Sequence, residues 1–217
     1  MKLTAAIILL IFLPGCKKSP GEGVTVMANT DTVKIKTHPG ELSYLALGDS
    51  YTIGEAVAQD QSFPYQFAAM MNKQGYTVTE PKIVAKTGWT TGELILGINQ
   101  AAISSKYDIV TLLIGVNNQY RGDYIGTYRD QFKLLLQTAI DFASGNKSHV
   151  FVLSIPDWGV TPFGIQSGQK DISGQIDAFN AVNKEETLAL GISYTDITGA
   201  SRGAAGNQAL VASDGLH

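Results

Sequence analysis

The chain has 217 residues, of which 44% are hydrophobic and 16% are charged, and its formal net charge is -3. This length suits one well-buried domain and leaves too little chain for two of ordinary size. The composition is that of a globular protein, and the small negative charge lacks the basic footprint of a nucleic-acid-binding protein. No segment repeats at the period of a solenoid.

The first residues have the pattern of a secretory signal. Lys2 precedes an apolar run over residues 3–13, which is shorter than the roughly 20 residues of a membrane-spanning helix. The run leads into "LPGC" at residues 13–16, which resembles a bacterial lipobox. We therefore expect a lipoprotein signal peptide over 1–15, a lipid anchor on Cys16 and a place at the bacterial cell envelope, facing the periplasm or the outside. A plain signal peptide with an incidental cysteine is the alternative.

Residues 16–40 are polar and punctuated by glycine and proline. Such a composition is typical of a linker, so we expect a membrane tether here, with room for one short strand. Because Cys16 is the only cysteine of the chain, no intrachain disulfide can form. The folded domain is expected over residues 41–217.

From residue 42 onward, strand-like and helical segments alternate. Apolar runs predict strands over 42–48, 82–86, 108–115, 149–156 and 192–197. Helices are predicted over 62–75, 91–104, 128–143 and 171–190. Strands that alternate with helices form parallel sheets with crossover connections. The predicted fold class is α/β, a three-layer α/β/α sandwich of flavodoxin type with a five-stranded parallel sheet.

Two of the predicted helices have an apolar face that should pack on the sheet. In the helix over 62–75, the residues spaced to lie on this face are Phe63, Phe67, Met70 and Met71. In the helix over 128–143, they are Tyr128, Phe132, Leu135, Leu136 and Ala139.

Suggestive polar residues and glycines follow four of the predicted strands. Sheets of this type bind ligands beyond the carboxyl ends of their strands, so residues at those ends are expected to meet. They are Gly48-Asp49-Ser50 after the first strand, Gly88 after the second, Asn117 after the third, and Asp214 and His217 after the fifth.

These residue types have the chemistry of an acyl-transfer site. A serine hydroxyl becomes a good nucleophile when a histidine takes its proton and a carboxylate holds the other ring nitrogen. Asp214 and His217 are three residues apart, so one turn of chain lets the carboxylate reach the ring. The backbone N–H groups of Ser50 and Gly88, with the side-chain amide of Asn117, are candidate donors to an oxyanion.

In this order, the blocks Gly48-Asp49-Ser50, Gly88, Asn117 and Asp214-x-x-His217 resemble the SGNH hydrolases, also called GDSL lipases or esterases. The resemblance covers residues 42–217 and implies hydrolysis of a carboxylic ester, of an acylated carbohydrate or a lipid, without a metal or other cofactor. It implies that Ser50 is the nucleophile, His217 the base and Asp214 its partner. The oxyanion hole would consist of Ser50, Gly88 and Asn117.

Two features depart from the family pattern. The third block usually reads Gly-x-Asn-Asp, whereas Asn118 stands in the last position here. The family also usually continues past its histidine into a last helix that packs on the sheet. We therefore expect the domain over 41–217 to lack that helix and to be less stable and less active than a chain that carries it.

The residue pattern alone leaves several roles open. Gly92 is a rival of Gly88 as an oxyanion donor, and Asn118 is a rival of Asn117. Ser50 by itself could be no more than a helix N-cap residue.

The long segment over 155–168 also has two interpretations. With Trp158 and Phe163, it is either a packed surface loop or the wall of an acyl pocket that binds substrate. Since the sequence has no long apolar cap insertion, short acyl groups are the substrates expected. The rival function is that of a non-catalytic surface lipoprotein that binds carbohydrate or acts as a scaffold on the same fold.

Overall fold

The computed structural model describes residues 40–217. The predicted signal peptide, the predicted lipidation site at Cys16 and the predicted tether, apart from residue 40, lie outside the described residues. Among the helices of residues 40–217, none combines the length and the apolar composition of a transmembrane segment.

Five parallel strands form the central sheet. In chain order they are β2 (Tyr44–Gly48), β4 (Lys82–Ala85), β5 (Ile109–Leu113), β6 (Val150–Leu153) and β7 (Ser193–Thr195). Their order across the sheet is β4-β2-β5-β6-β7, and all neighbours pair in parallel. Counted along the chain, this is the flavodoxin-like order 2-1-3-4-5. The predicted α/β fold with a five-stranded parallel sheet is confirmed.

Helices cover both faces of this sheet because the side chains of its strands alternate between two apolar clusters. Leu45 and Leu47 face the larger cluster, which includes buried residues of three helices: α3 (Thr91–Ala101), α5 (Ile125–Phe142) and α7 (Ile172–Ala189). Tyr44 and Ala46 face the smaller cluster, against which α2 (Phe63–Lys73) packs. One strand thus contributes to both interfaces of the three-layer sandwich.

Four short helices follow the carboxyl ends of strands. They are α1 (Ser50–Ile53) after β2, α4 (Val116–Arg121) after β5, α6 (Pro162–Gln166) after β6 and α8 (Thr198–Ser201) after β7. Two further strands, β1 (Glu41–Leu42) and β3 (Thr77–Val78), form a separate parallel pair. The short helices place polar side chains along the carboxyl edge of the sheet.

The apolar face predicted for α5 is confirmed, and the one predicted for α2 is wrong at two residues: Met70 is exposed, and Phe63 packs against neither apolar cluster. All five side chains of the α5 face are buried. Met70 of α2 is 64% exposed, whereas Phe67 and Met71 pack against the smaller cluster. Consecutive helical residues are about 100° apart, so Met70 lies beyond the narrow face that Met71 occupies.

The chain turns sharply where β2 ends. A Cβ atom on Gly48 would lie 2.0 Å from Thr52 Oγ1 and 2.4 Å from the carbonyl oxygen of Leu113. Only glycine therefore lets α1 begin this close to the end of the strand. As a result, Ser50 lies at the carboxyl edge of the sheet.

Candidate active site

Ser50 is the first residue of α1, and the residue before it caps this helix. Oδ1 of Asp49 accepts a hydrogen bond from the Tyr51 N–H at 3.1 Å. The interpretation of Ser50 as the N-cap residue is therefore wrong, because Asp49 makes the capping bond. The Ser50 side chain makes no capping bond, and Ser50 lines a pocket at this edge of the sheet.

The carboxyl group of Asp49 is held in an environment that favours its neutral form. The residue is fully buried, and its Oδ2 has no hydrogen-bond partner within the described range. Burial raises the pKa of Asp49 to about 7, although the bond from Tyr51 acts in the opposite direction. This group sits directly before Ser50 and can change its charge near neutral pH.

Asp214 and His217 come together as the sequence predicts. Nδ1 of His217 lies 2.5 Å from Oδ2 of Asp214. Oδ1 of Asp214 accepts hydrogen bonds from the backbone N–H groups of Leu216 at 3.0 Å and His217 at 3.1 Å. Burial acts to raise the pKa of Asp214, but these bonds outweigh it and the net pKa is lowered. The carboxylate thus stays ionised and fixes the ring, leaving Nε2 as the nitrogen available for a proton.

Tyr51 connects the nucleophile candidate to the base candidate. Its ring lies 4.8 Å from the His217 ring, centroid to centroid, and its hydroxyl donates to the carbonyl oxygen of Leu216 at 3.4 Å. Ser50 and His217 line the same pocket, and no hydrogen bond joins Ser50 Oγ to the His217 ring within residues 40–217. Such catalytic bonds are often long in unliganded enzymes and tighten when substrate binds.

The pocket beside Ser50, here named the Trp158 pocket, has a volume of about 220 Å³. Its lining residues are Ser50, Tyr51, Val116, Asn117, Tyr120, Trp158, Phe163, Leu216 and His217. The structure therefore brings together three predicted catalytic or oxyanion residues and both predicted substrate-binding aromatics.

The segment over 155–168 is packed and also forms a pocket wall, so its two interpretations are compatible. Trp158 is 1% exposed and its indole Nε1 donates to Oε1 of Gln119 at 2.6 Å. Phe163 is 39% exposed, and its ring centroid lies 5.9 Å from that of Trp158. Tyr120 is the third aromatic residue of this wall, and its ring centroid lies 5.4 Å from that of Trp158.

The two asparagines of the third block have different surroundings. Asn117 lines the Trp158 pocket, and its Nδ2 donates to the carbonyl oxygen of Trp89 at 3.0 Å. Asn118 is buried, and its Nδ2 donates to Thr91 Oγ1 at 2.9 Å and Asp123 Oδ2 at 3.0 Å. With its amide hydrogens engaged, Asn118 supports the start of α3, and Asn117 has the better position for contacting a ligand.

Gly88 and Gly92 also differ in setting. Gly88 lies in the loop between β4 and α3 with φ of +84°, a conformation that favours glycine. Its carbonyl oxygen accepts a hydrogen bond from Arg121 Nη2 at 2.5 Å. Gly92 lies inside α3 against the side chain of Gln131, which is a packing position. Among the described residues, neither glycine lines the Trp158 pocket.

Comparison with known proteins decides the family. The GDSL-like lipase/acylhydrolase family model matches residues 46–217. The chain belongs to this family. It is a carboxylic ester hydrolase by family, and the predicted resemblance to SGNH hydrolases is confirmed.

Solved structures of SGNH-type esterases share the fold of this family member. A lipase/acylhydrolase from Enterococcus faecalis is 19% identical, with a TM-score of 0.63 over 81% of this chain and 86% of the other. Axe2, an acetylxylan esterase from Geobacillus stearothermophilus, is 17% identical, with a TM-score of 0.61 over 85% of this chain and 88% of the other. AlinE4, an SGNH-hydrolase family esterase, is 15% identical, with a TM-score of 0.61 over 83% of this chain and 88% of the other. Comparison with curated protein sequences gives no match.

Several residues of this site have no signal in the sequence pattern. Tyr120 and Leu216 line the Trp158 pocket, and Arg121 binds the Gly88 carbonyl group. Their roles depend on the short helix α4 and on the final loop, whose geometry no periodic pattern encodes. Within residues 40–217, no three His, Cys, Asp or Glu side chains are grouped as metal ligands.

Proposed function

We propose that this family member is a serine esterase with Ser50 as nucleophile, His217 as general base and Asp214 as the partner of His217. The observation that carries the proposal is that Ser50, Asn117 and His217 line one pocket while Asp214 holds Nδ1 of His217. Three chain segments that are far apart in sequence thus supply the groups that acyl transfer needs.

The reaction has two steps. Ser50 Oγ attacks the ester carbonyl carbon while His217 Nε2 takes the proton of the Ser50 hydroxyl. The resulting tetrahedral intermediate then collapses. The bond from carbon to the alcohol oxygen breaks, and His217 returns the proton to that oxygen. Water, activated by His217, next hydrolyses the acyl-Ser50 ester and releases the acid.

The oxyanion is proposed to bind to the backbone N–H groups of Ser50 and Gly88 and to the Asn117 amide. Within the described residues, no hydrogen bond uses the N–H group of Ser50 or of Gly88. The Asn117 amide donates one hydrogen to the carbonyl oxygen of Trp89, and its second hydrogen is available to an oxyanion. Free, fixed donors of this kind stabilise the developing negative charge most strongly when water is excluded.

Short acyl groups are the proposed acyl portion of the substrate. The Trp158 pocket holds about 220 Å³ and is walled by aromatic and aliphatic side chains. The sequence has no long apolar cap insertion that would extend these walls along a fatty acyl chain.

A fluorophosphonate probe tests the catalytic assignment. The proposal predicts that the probe labels Ser50, that Ser50→Ala abolishes labelling and that His217→Ala slows it strongly, as measured by mass spectrometry of the tryptic peptide. The variants should keep the circular dichroism spectrum of the parent. A folded protein that neither labels nor cleaves nitrophenyl acetate would instead favour a non-catalytic binding protein.

The envelope location is a separate proposal that rests on the sequence of residues 1–16. Cys16 is proposed to be lipidated after removal of residues 1–15, which would tether the esterase to a membrane. Metabolic labelling with an alkynyl palmitate in a bacterial host should mark the protein, and Cys16→Ser should abolish the label. Secretion of unlabelled parent protein would argue for an ordinary signal peptide.

A further inference from the structure

Ser50 and His217 lie at the junction of two pockets. Besides the Trp158 pocket, both residues and Tyr51 line a smaller cavity of about 110 Å³, here named the Glu55 pocket. The remaining residues of its lining are Gly54, Glu55, Val57, Gln61, Ser62 and Phe63. These come from the end of α1, the segment after it and the start of α2. The two pockets therefore meet at the proposed reacting groups.

An ester also has two portions, which join at the carbon that Ser50 attacks. His217 must deliver a proton to the alcohol oxygen, so the alcohol portion has to lie beside His217. A third pocket of about 360 Å³ includes His217 and Leu210 but not Ser50. The Glu55 pocket includes both Ser50 and His217, and so it can hold the alcohol while the Trp158 pocket holds the acyl group.

The two pockets differ in chemistry. The Trp158 pocket is walled by aromatic rings and aliphatic side chains. The lining of the Glu55 pocket is also mainly apolar, but it includes the carboxylate residue Glu55, which the Trp158 pocket lacks, together with Gln61 and Phe63. Glu55 Oε2 accepts a hydrogen bond from Thr87, and within the described residues Oε1 has no hydrogen-bond partner. Such groups bind hydroxyl groups, while an aromatic face packs against a sugar ring.

Charge restricts the alcohol further. Neither lining contains a lysine or an arginine, and Glu55 is the carboxylate of the Glu55 pocket. Arg121, which binds the Gly88 carbonyl group, is already paired with Glu93 at 3.1 Å. A phosphate or carboxylate on the alcohol would therefore meet a like charge, with no lysine or arginine in the lining to offset it.

From this arrangement we infer that the Glu55 pocket is an alcohol subsite for an uncharged, polyhydroxylated alcohol such as a sugar, and that Glu55 rejects anionic alcohols. The inference rests on the proposed function and adds to it the class of leaving group. It separates acylated carbohydrates from esters whose alcohol carries phosphate, such as lysophospholipids.

Three acetate esters that differ in their alcohol test this inference. They are 6-O-acetylglucose, 6-O-acetylglucose 1-phosphate and cyclohexylmethyl acetate. For the parent protein, kcat/KM should be highest for the neutral sugar ester and about tenfold lower for its phosphate. The penalty on the phosphate should shrink in 1 M NaCl, because salt screens charge repulsion but leaves a steric clash unchanged.

Glu55→Gln is the decisive variant, because glutamine keeps an oxygen that can accept the hydrogen bond from Thr87. It should raise the ratio of the phosphate rate to the neutral sugar rate about fivefold or more. Asp130→Asn is the matched control: it makes the same change of net charge on α5, outside both linings. It should leave the ratio unchanged.

Several results would overturn the inference. They are cleavage of the phosphate ester as fast as the neutral sugar ester, equal effects of Glu55→Gln and Asp130→Asn, or no preference for the sugar over cyclohexylmethyl acetate. Failure of the proposed function has a different signature: none of these esters nor nitrophenyl acetate is cleaved, and a fluorophosphonate leaves Ser50 unlabelled.

Discussion

Arg121 holds the carbonyl oxygen of Gly88 at 2.5 Å, and Asn117, one turn earlier on α4, holds the carbonyl oxygen of Trp89 at 3.0 Å. Two successive peptide groups of the loop after β4 are therefore fixed by one face of a six-residue helix. Because Gly88 and Asn117 are both proposed oxyanion donors, α4 sets the distance between them.

Arg121→Gln should lower kcat about tenfold and leave KM nearly unchanged. Without the bond from Arg121, the loop that carries Gly88 shifts, and the Gly88 N–H loses part of its contact with the oxyanion. Loss of a whole oxyanion donor would lower kcat about a hundredfold or more. Arg121→Lys should recover part of the rate. Steady-state kinetics on nitrophenyl acetate measures both constants. Arg129→Gln, which breaks the ion pairs with Glu185 and Glu186 away from the pocket, is the control that should keep parental kcat. Parental kcat in Arg121→Gln would contradict the positioning role.

Asp214→Asn should lower kcat by about three orders of magnitude while the protein stays folded. The amide holds the ring in the wrong tautomer and cannot stabilise the imidazolium that forms. The rate of fluorophosphonate labelling of Ser50 should fall in parallel. Parental activity in Asp214→Asn would show that His217 works without this partner, which the 2.5 Å contact between their side chains argues against.

Asp49→Asn should change the pH dependence of stability. The folded pKa of Asp49 is about 7, above its ordinary value of 3.8, so between these values the folded protein keeps a proton that the unfolded chain loses. Stability therefore falls as pH rises through this window, and the full cost, on the order of a few kcal/mol, persists above pH 7.

An asparagine at position 49 stays neutral, so the variant should gain melting temperature over the parent at pH 8 and show little difference at pH 4. It can still accept the bond from Tyr51. Thermal denaturation at pH 4, 6 and 8 measures the effect. A difference in melting temperature that does not vary with pH would rule out titration of Asp49 as its source.

Phe163→Ala should broaden the acyl preference. Removal of this ring opens the Trp158 pocket at its exposed side, so kcat/KM for octanoyl relative to acetyl esters should rise about threefold to tenfold, in line with the gain from burying one or two more methylene groups. The readout is a nitrophenyl ester series from acetyl to palmitoyl. Ile165→Ala on the same helix is 72% exposed and outside the lining, and it should leave the profile unchanged. A parental profile in Phe163→Ala would place the acyl chain elsewhere.

Asn118→Asp, which restores the usual residue of the family block, should destabilise this protein. Asn118 Nδ2 donates to Asp123 Oδ2 at 3.0 Å, and an aspartate would set two carboxylates against each other there. We expect a loss of about 1–3 kcal/mol by chemical denaturation. The double variant with Asp123→Asn should recover most of it. Full stability of the single variant would mean that the loop relaxes without cost.

The long elements and the order of the site residues could be predicted from the sequence because both leave local patterns. The five strands and four long helices have apolar runs or periodic faces, and Ser50, Asn117 and His217 follow strand ends in the family order. Boundaries were less accurate: β5 ends at Leu113 rather than at residue 115. There the backbone turns at Gly115, with φ of +131°, where a Cβ would lie 2.5 Å from the Tyr128 hydroxyl.

The rest of the site depends on geometry that short segments do not encode. Helix α4 has six residues, too few for an apolar period, yet it positions Asn117, Tyr120 and Arg121. Glu55 follows α1 in a polar stretch that resembles any surface turn, and its place beside Ser50 appears only when α1 and α2 are packed. Tertiary contacts, rather than propensity, assign these roles.

Tyr51 follows the proposed nucleophile directly and touches both the ring of His217 and the backbone of Leu216, 165 positions later in the chain. Tyr51 therefore holds the final loop beside the proposed nucleophile from the first βα connection, and the hydrogen bond from the Phe163 N–H to the carbonyl oxygen of Gly215 at 2.9 Å holds that loop from the connection after β6. A change of length in the connections between β4 and β6 would leave both of these contacts in place.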